Sequence, residues 1–226
     1  MRAASRDAPS SRRPAEAALA ACLASALAFA TVAALAFGGG ALAGRDARLV
    51  ARLSAPGQPT GLADLVVRLG DPPAQLVLLA LAVAVALAAG RRRWILPSLL
   101  LVAGADLTTQ ALKQAFGDPR YHQVLGFEQV GANSFPSGHM TTMVATSLAF
   151  AMVVPRRWLP ATMIVGAALS LAVGWSVIAL RRHFPSDVAG GALVALTWFF
   201  ALLALWVRGG EAGKPREESG PESREG

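Results

Sequence analysis

The chain has three histidines in 226 residues, and two of them sit in stretches whose residue types could do chemistry. His139 closes "NSFPSGH", residues 133–139, directly ahead of a long apolar run. Asn133 or Ser134 can cap a helix there, and Pro136 suits its first turn. Ser137 and Gly138 then present backbone N–H groups at a helix N-terminus, where partial positive charge favours an anion. Gly138 lets that anion come close to the backbone. His139 stands in the same first turn, so the stretch reads as an oxyanion cradle with a proton donor attached. A capped helix carrying an incidental histidine is the competing explanation.

The second stretch is "RRHFPSDVAGG", residues 181–191. His183 and Asp187 lie four apart across a proline-containing helix start. Asp187 can accept from one imidazole nitrogen and leave the other free to attack, the orienting logic of a triad with histidine as the nucleophile. Two histidines and an aspartate could instead hold zinc, but no third well-placed His, Cys or Glu accompanies them. Neither a metal nor another cofactor is expected. Of 19 arginines and 2 lysines, Lys113 is the one lysine outside the C-terminal tail, and Arg120 follows it by seven residues, after "FGDP". Both can bind an anion; a helix-end lysine that snorkels to an interface is the plainer alternative. His122, in a polar loop, reads as a solvated residue. Asp106 lies seven residues before Lys113 inside an apolar run and reads as a structural hydrogen-bonding group, with tuning of Lys113 as the lesser option.

Composition says which elements must hold these residues. The chain is 54% hydrophobic with positive mean hydropathy, too apolar for an ordinary soluble domain. Its apolar residues fall into six blocks of bilayer-spanning length: Ala17–Phe37, Pro73–Ala89, Trp94–Lys113, Gly138–Val154, Trp158–Leu180 and Asp187–Val207. The expected fold is all-α, a single bundle of six transmembrane helices over residues 15–208. Residues 1–14 and 209–226 are expected to be disordered cytoplasmic ends. In the first outer segment, "GLADLVVRL" places Leu62, Leu65, Val66 and Leu69 on one helical face. That predicts a short interfacial helix, rimming a lipid entrance or packed over the bundle.

The net charge of +7 could suggest nucleic acid, but its distribution points to a membrane. With a cytoplasmic N-terminus, 13 of the 21 basic residues fall in inner segments, and the tight turns "GRRRW" and "PRRW" are both inside. Both termini are then cytoplasmic, and the loops bearing Arg120 and His183 face outward from a cell (inner) membrane. The N-terminal stretch also resembles a secretory signal with a cleavage site at Ala41 to Ala43. Its apolar run is longer than a usual signal core, so a retained first span is expected. Cys22 lies in that span, and a lone cysteine excludes an intramolecular disulfide.

Lys113-x6-Arg120, Pro136-Ser137-Gly138-His139 and His183-x3-Asp187 together resemble the three-part signature of the type 2 phosphatidic acid phosphatase superfamily, also called lipid phosphate phosphatases. Order, spacing and placement relative to the spans agree over about residues 17–207. The resemblance implies a six-helix membrane bundle that hydrolyses phosphate monoesters or pyrophosphates of lipids without metal. It implies His183 as the nucleophile forming a phosphohistidine, Asp187 as its orienter and His139 as proton donor to the leaving oxygen. Lys113, Arg120 and the amides around Ser137 and Gly138 would bind the phosphoryl oxygens. Positioning and charge stabilisation carry most of phosphoryl transfer, which agrees with the residues taken alone.

Two positions depart from the family pattern. Tyr121 follows Arg120 where proline is usual, and Val177 stands where the third motif usually has arginine, six residues before the histidine. Arg181 and Arg182 are candidates to replace that arginine, Arg182 the weaker because its place beside His183 can point it away. Binding of anionic headgroups is the alternative for both. A catalytically weak relative that binds or moves a phosphorylated lipid is the second functional expectation. A vanadate-dependent haloperoxidase is a third, disfavoured by six spans and the lack of a large soluble domain. Phosphatidic acid, phosphatidylglycerol phosphate and undecaprenyl pyrophosphate all fit as substrates. The expected partners are a phosphorylated lipid and the bilayer, with no nucleic acid; oligomeric state is not legible. The Ala- and Arg-rich composition suggests a bacterium with a GC-rich genome.

Overall fold

The structure, a computed structural model, describes residues 12–37, 42–54, 60–116 and 133–212. Among these the elements are helical, with no strand. They are α1 (Arg12–Phe37), α2 (Ala43–Leu53), α3 (Thr60–Val67), α4 (Pro72–Ala88), α5 (Ile95–Phe116), α6 (Gly138–Val153), α7 (Leu159–Ala179) and α8 (Pro185–Ala212). Single 3-10 turns at Arg68–Gly70, Arg92–Trp94 and Arg156–Trp158 lead into α4, α5 and α7. Most of the two ends expected to be disordered lies outside the described residues.

Among the described residues four stretches are long and apolar enough to cross a bilayer: Arg13–Phe37, Arg92–Phe116, Arg156–Ala179 and Pro185–Val207. Gly61–Gly70 and Pro72–Ala88 qualify together as a fifth, although they bend by 56°. α6 is apolar but has 16 residues, about 24 Å at 1.5 Å per residue. Four or five span-length units therefore stand where six were expected, for local reasons. Pro72 and Pro73 cannot continue a helix backwards, so α4 starts abruptly at 17 residues. α6 is closed at one end by its Ser137 cap and at the other by Val154, held extended ahead of Pro155.

The two ends of the bundle differ chemically. At one end the two basic turns meet, where the Arg91 guanidinium donates to the Met152 carbonyl at 3.0 Å. At the other end lie the start of α4, the end of α5 and the starts of α6 and α8. The end of α1 joins them there: Phe37 stacks on Phe116 of α5 at 4.8 Å, and Phe135, just ahead of α6, meets Phe29, Phe37 and Phe116. Among the described residues the candidate catalytic groups are at this second end.

Small residues and hydroxyls fill the helix contacts, and large aliphatic side chains face outward. Ala82, Ala86, Ala105, Ala145, Ala149 and Ala195 are buried, while Leu27, Leu76, Leu107, Ile164 and Leu171 are exposed. This is expected in lipid, where association depends on close packing rather than on hiding apolar surface. Thr109 donates to Thr141 at 3.0 Å, and the Thr141 hydroxyl lies 3.1 Å from the Gly191 carbonyl, tying α5, α6 and α8 together. Gln75 of α4 donates to the Leu69 carbonyl and accepts from Thr146 of α6.

The segment between α1 and α4 holds two helices instead of the one expected. α2 is amphipathic: Asp46, Ala47 and Val50 are buried, and Arg45, Arg48 and Arg52 are exposed. α3 packs on α7. Its buried residues are Ala63 and Val67, whereas Leu62 and Leu65 are 58% and 64% exposed.

Candidate active site

The site is assembled by two helix starts that the sequence brings into register. After α7 the chain turns at Arg181, which has a positive φ of 57°. The amides of Arg182 and His183 then donate to the Val177 carbonyl at 2.9 and 3.1 Å. His183 is thereby fixed ahead of α8, with only 8% of its surface exposed. Its Nδ1 lies 3.4 Å from Oδ2 of Asp187, and the same oxygen accepts the Phe184 amide at 3.0 Å. Asp187 is fully buried. With Nδ1–H donated to the carboxylate, Nε2 keeps the lone pair that a nucleophile needs.

The second helix start is that of α6. Ser137 caps it, its hydroxyl accepting from the Met140 amide at 3.4 Å. The Ser137 amide donates to the Asp187 carbonyl at 2.9 Å. That bond locks the two motifs to each other, and Ser137 N–H would have to leave it to meet an anion. The Gly138 and His139 amides, with no partner among the described residues, are the ones aimed out of the helix start.

"AGG" in the last motif now has a reason. A Cβ on Gly191 would press on the Ser137 carbonyl oxygen and stand 3.0 Å from Thr141 Oγ1. One on Gly190 would fall 2.7 Å from the Phe135 ring. The two glycines are the floor on which the "FPSG" turn rests.

The cations fall around this junction. A methyl built on Gly138 would sit 3.7 Å from Lys113 Nζ, so the ammonium stands beside the α6 N-terminus. Asp187 and Asp106 both act on Lys113 electrostatically, and Asp106 also accepts from Gln110 at 3.2 Å. Arg182 is near enough to His139 for their charges to interact. Arg181 turns away: its Nε donates to Ser54 Oγ at 2.9 Å and its terminal nitrogen to the Ser54 carbonyl at 3.2 Å. Arg120, Tyr121 and His122 lie outside the described residues. Val177 is fully buried among Val50, Val67 and Phe184, so the place of the absent arginine is filled by apolar packing from α2 and α3.

His139 faces His183, ring centroids 6.2 Å apart, and its Nε2 lies 3.2 Å from Oδ1 of Asp71. Three positions at the site were missed in the sequence. Asp71 reads as a helix cap ahead of two prolines, yet its side chain makes no capping bond. Asp46 of α2 is buried and accepts from Ser186 at 2.6 Å, latching the amphipathic helix to the motif. Gly70 allows the His139 ring to lie against the backbone, where a Cβ would meet its Cδ2 at 2.7 Å. The usable signals were an acid directly ahead of two prolines at a helix start, and a glycine just before it. Among the described residues no three His, Cys, Asp or Glu side chains gather as a metal site.

A groove of about 430 Å³ runs from this junction down between α4 and α5. Its upper wall is Lys113, Gly138 and His139; its lower wall includes Leu76, Leu79, Val102 and Ala103. The crevice between α6 and α7 lined by Leu78, Phe150 and Val165 touches none of the chemical residues.

Two curated proteins align with part of the chain. Lipid A 1-phosphatase of Rhizobium etli is 32% identical over 113 residues, and lipid A 1-phosphatase of Rhizobium johnstonii is 38% identical over 113 residues. Each alignment covers 46% of this chain, and 46% and 44% of those relatives, so the chain matches less than half of their length. The crystal structure of a transmembrane PAP2 type phosphatidylglycerolphosphate phosphatase from Bacillus subtilis superposes with a TM-score of 0.66 at 22% identity, covering 87% of this chain and 98% of that one. The fold is therefore shared with that enzyme. Residues 94–210, which include both catalytic-type histidines and Lys113, match the PAP2 superfamily, and the chain belongs to it.

Proposed function

We propose that the protein is an integral-membrane phosphatase that hydrolyses a phosphate monoester or pyrophosphate of a lipid through a phosphohistidine on His183. The observation that carries this is the junction itself. An oriented imidazole, a second imidazole, an ammonium and two outward amides converge at the head of an apolar groove. A soluble phosphate ester would not need the groove; a lipid chain would fill it.

In the proposed reaction the phosphoryl group sits against the Gly138 and His139 amides, Lys113 and Arg182, with Arg120 as a further ligand. His183 Nε2 attacks phosphorus, the ester oxygen leaves, and His139 gives that oxygen a proton. Water then attacks the phosphohistidine, loses its proton to His139, and releases phosphate and His183. Asp187 keeps the Nδ1–H tautomer through both steps and stabilises the imidazolium. Developing charge on three equatorial oxygens meets fixed donors, which is where the rate arises. Ser137 contributes by locking the two motifs, and Arg182, not Arg181, supplies from the loop the charge that Val177 cannot.

The bundle is proposed to cross the membrane six times as one domain over residues 15–208, with α4, which α3 meets at a 56° bend, and the short α6 each accounting for one crossing. Both termini would be cytoplasmic in the inner membrane, with the site outside. Support comes from the basic turns at the end of the bundle opposite the site. α2 and α3 would lie at the outer interface, and the outward-facing Leu62 and Leu65 suit lipid contact.

The substrate candidates are phosphatidic acid, phosphatidylglycerol phosphate, undecaprenyl pyrophosphate and, from the named relatives, lipid A. Phosphate release from these four in detergent, with EDTA present, tests the proposal. Turnover of at least one is expected, and His183→Ala should abolish it. Binding of a lipid without phosphate release from any of them would favour a carrier instead.

A further inference from the structure

We propose that Asp71 is a positioning residue for His139, so that the site contains two oriented histidine–carboxylate pairs instead of one. The inference rests on the phosphatase function proposed above and assigns a residue outside its three motifs. Three observations converge. First, Asp71 Oδ1 lies 3.2 Å from His139 Nε2 across a sequence separation of 68. Second, Asp71 occupies the N-cap of α4 without using its side chain there, although an aspartate at that place ordinarily caps. Third, Gly70 has no Cβ to block the ring, and its backbone covers the Cδ2 edge of His139. The edge carrying Nδ1 and Cε1 is the opposite one.

A carboxylate near a phosphate site carries a cost, because it repels the substrate's charge. Asp71 is only half-buried, so water moderates that repulsion. What it supplies in return is direction. With Nε2–H donated to Asp71, the proton delivered to the leaving oxygen comes from Nδ1, and the ring cannot swing to the other arrangement. The carboxylate also stabilises the imidazolium before transfer. In that step the phosphorus–oxygen bond breaks, the oxygen takes the Nδ1 proton, and His139 is left neutral. In the second step the attacking water returns a proton to Nδ1. The charged or titratable groups facing His139 among the described residues are Asp71, His183, Arg182 and Lys113. Asp106 lines the same groove beyond Lys113, and of the two carboxylates only Asp71 lies within hydrogen-bond distance of the ring.

Leaving-group dependence separates this role from a structural one. A poor alkoxide leaving group needs the proton; a nitrophenolate does not. Wild type, Asp71→Asn, Asp71→Glu and His139→Ala would be compared on a dialkyl lipid phosphate and on p-nitrophenyl phosphate. For Asp71→Asn a fall in kcat of roughly 10- to 10²-fold on the lipid is expected, a part of what a general acid contributes. KM should stay close to wild type, and the first-turnover burst of nitrophenolate should change little in rate, although later turnovers slow on both substrates because His139 is also the base for the attacking water. His139→Ala should show the same pattern more strongly, and Asp71→Glu should recover most of the loss. Equal losses in the first-turnover rate on both substrates, or wild-type turnover of the lipid by Asp71→Asn, would overturn the assignment. If Asp71→Asn does not fold in detergent, Asp71→Ser is read against the same two outcomes. A wild-type protein inactive on both substrates would overturn the phosphatase function and this inference together, whereas active wild type with equal losses overturns the role of Asp71 alone.

Discussion

Replacing Gly191 by alanine adds one methyl group behind the cradle, on a residue given no role in the reaction, and the structure says it should damage catalysis. The new Cβ would press on the Ser137 carbonyl oxygen, a contact shorter than side chains tolerate, with Thr141 Oγ1 at 3.0 Å and Met140 Cβ at 3.2 Å on the same side. None of these is the loose end of a flexible side chain. Ser137 is held by its cap and by its amide bond to Asp187, and Thr141 is bonded to Thr109. Relief must therefore come from separating α6 and α8, by several tenths of an ångström. Overpacking of this kind costs about 1–3 kcal/mol in a packed core. The same separation moves His139 and Lys113 away from His183. A misplacement of about 1 Å can cost roughly 10²-fold in rate, so a fraction of that should lower kcat by about tenfold. The assay is phosphate release in detergent together with thermal unfolding. Gly61→Ala is the control, since nothing stands within 4 Å of its added Cβ. Gly191→Ala with wild-type kcat and stability would refute the claim that this contact sets the registry of the site.

Three further outcomes follow from the same geometry. Asp187→Asn should lower kcat by roughly 10²- to 10⁴-fold with substrate binding retained, because an amide can hold His183 in the wrong tautomer; single-turnover kinetics would show the loss in the phosphorylation step. Arg182→Ala should lower the rate by roughly 10²-fold, as loss of one oxyanion donor does, while Arg181→Ala changes it only a few-fold. The reverse order would mean that the Ser54 contact of Arg181 gives way on substrate binding. In a Cys22→Ser background, a cysteine at Gln123 should react with an impermeant label added from outside and one at Arg92 should not; the opposite pattern would invert the bundle.

Much of the architecture was legible because hydropathy and helix breakers act locally. The blocks written as Trp94–Lys113 and Trp158–Leu180 correspond to α5 and α7 within a few residues. The histidine–aspartate spacing of four was legible for the same reason, since both residues flank one helix start. The sequence left open whether the Leu62 and Leu65 face of α3 packs over the bundle or faces outward; both are exposed and Ala63 and Val67 are buried, because in a bilayer large apolar residues are as comfortable outside as in. What failed was inference about direction. Arg181 looked better placed than Arg182, but its positive φ carries it to the end of α2. The Ser137 amide looked free, but its partner is a carbonyl 50 residues away that no local pattern could supply. Asp71, 68 residues from His139, was illegible on the same grounds.

The most direct test of the central claim is to trap the covalent intermediate. Wild-type protein would be mixed with a lipid substrate carrying radiolabelled phosphate, quenched in alkali, where phosphohistidine survives, and digested for mass spectrometry. Label on the peptide containing His183, lost in His183→Ala but still formed in His139→Ala with a good leaving group, is the predicted result. Label on another residue, or turnover by His183→Ala with no label at all, would contradict the assignment of His183 as nucleophile.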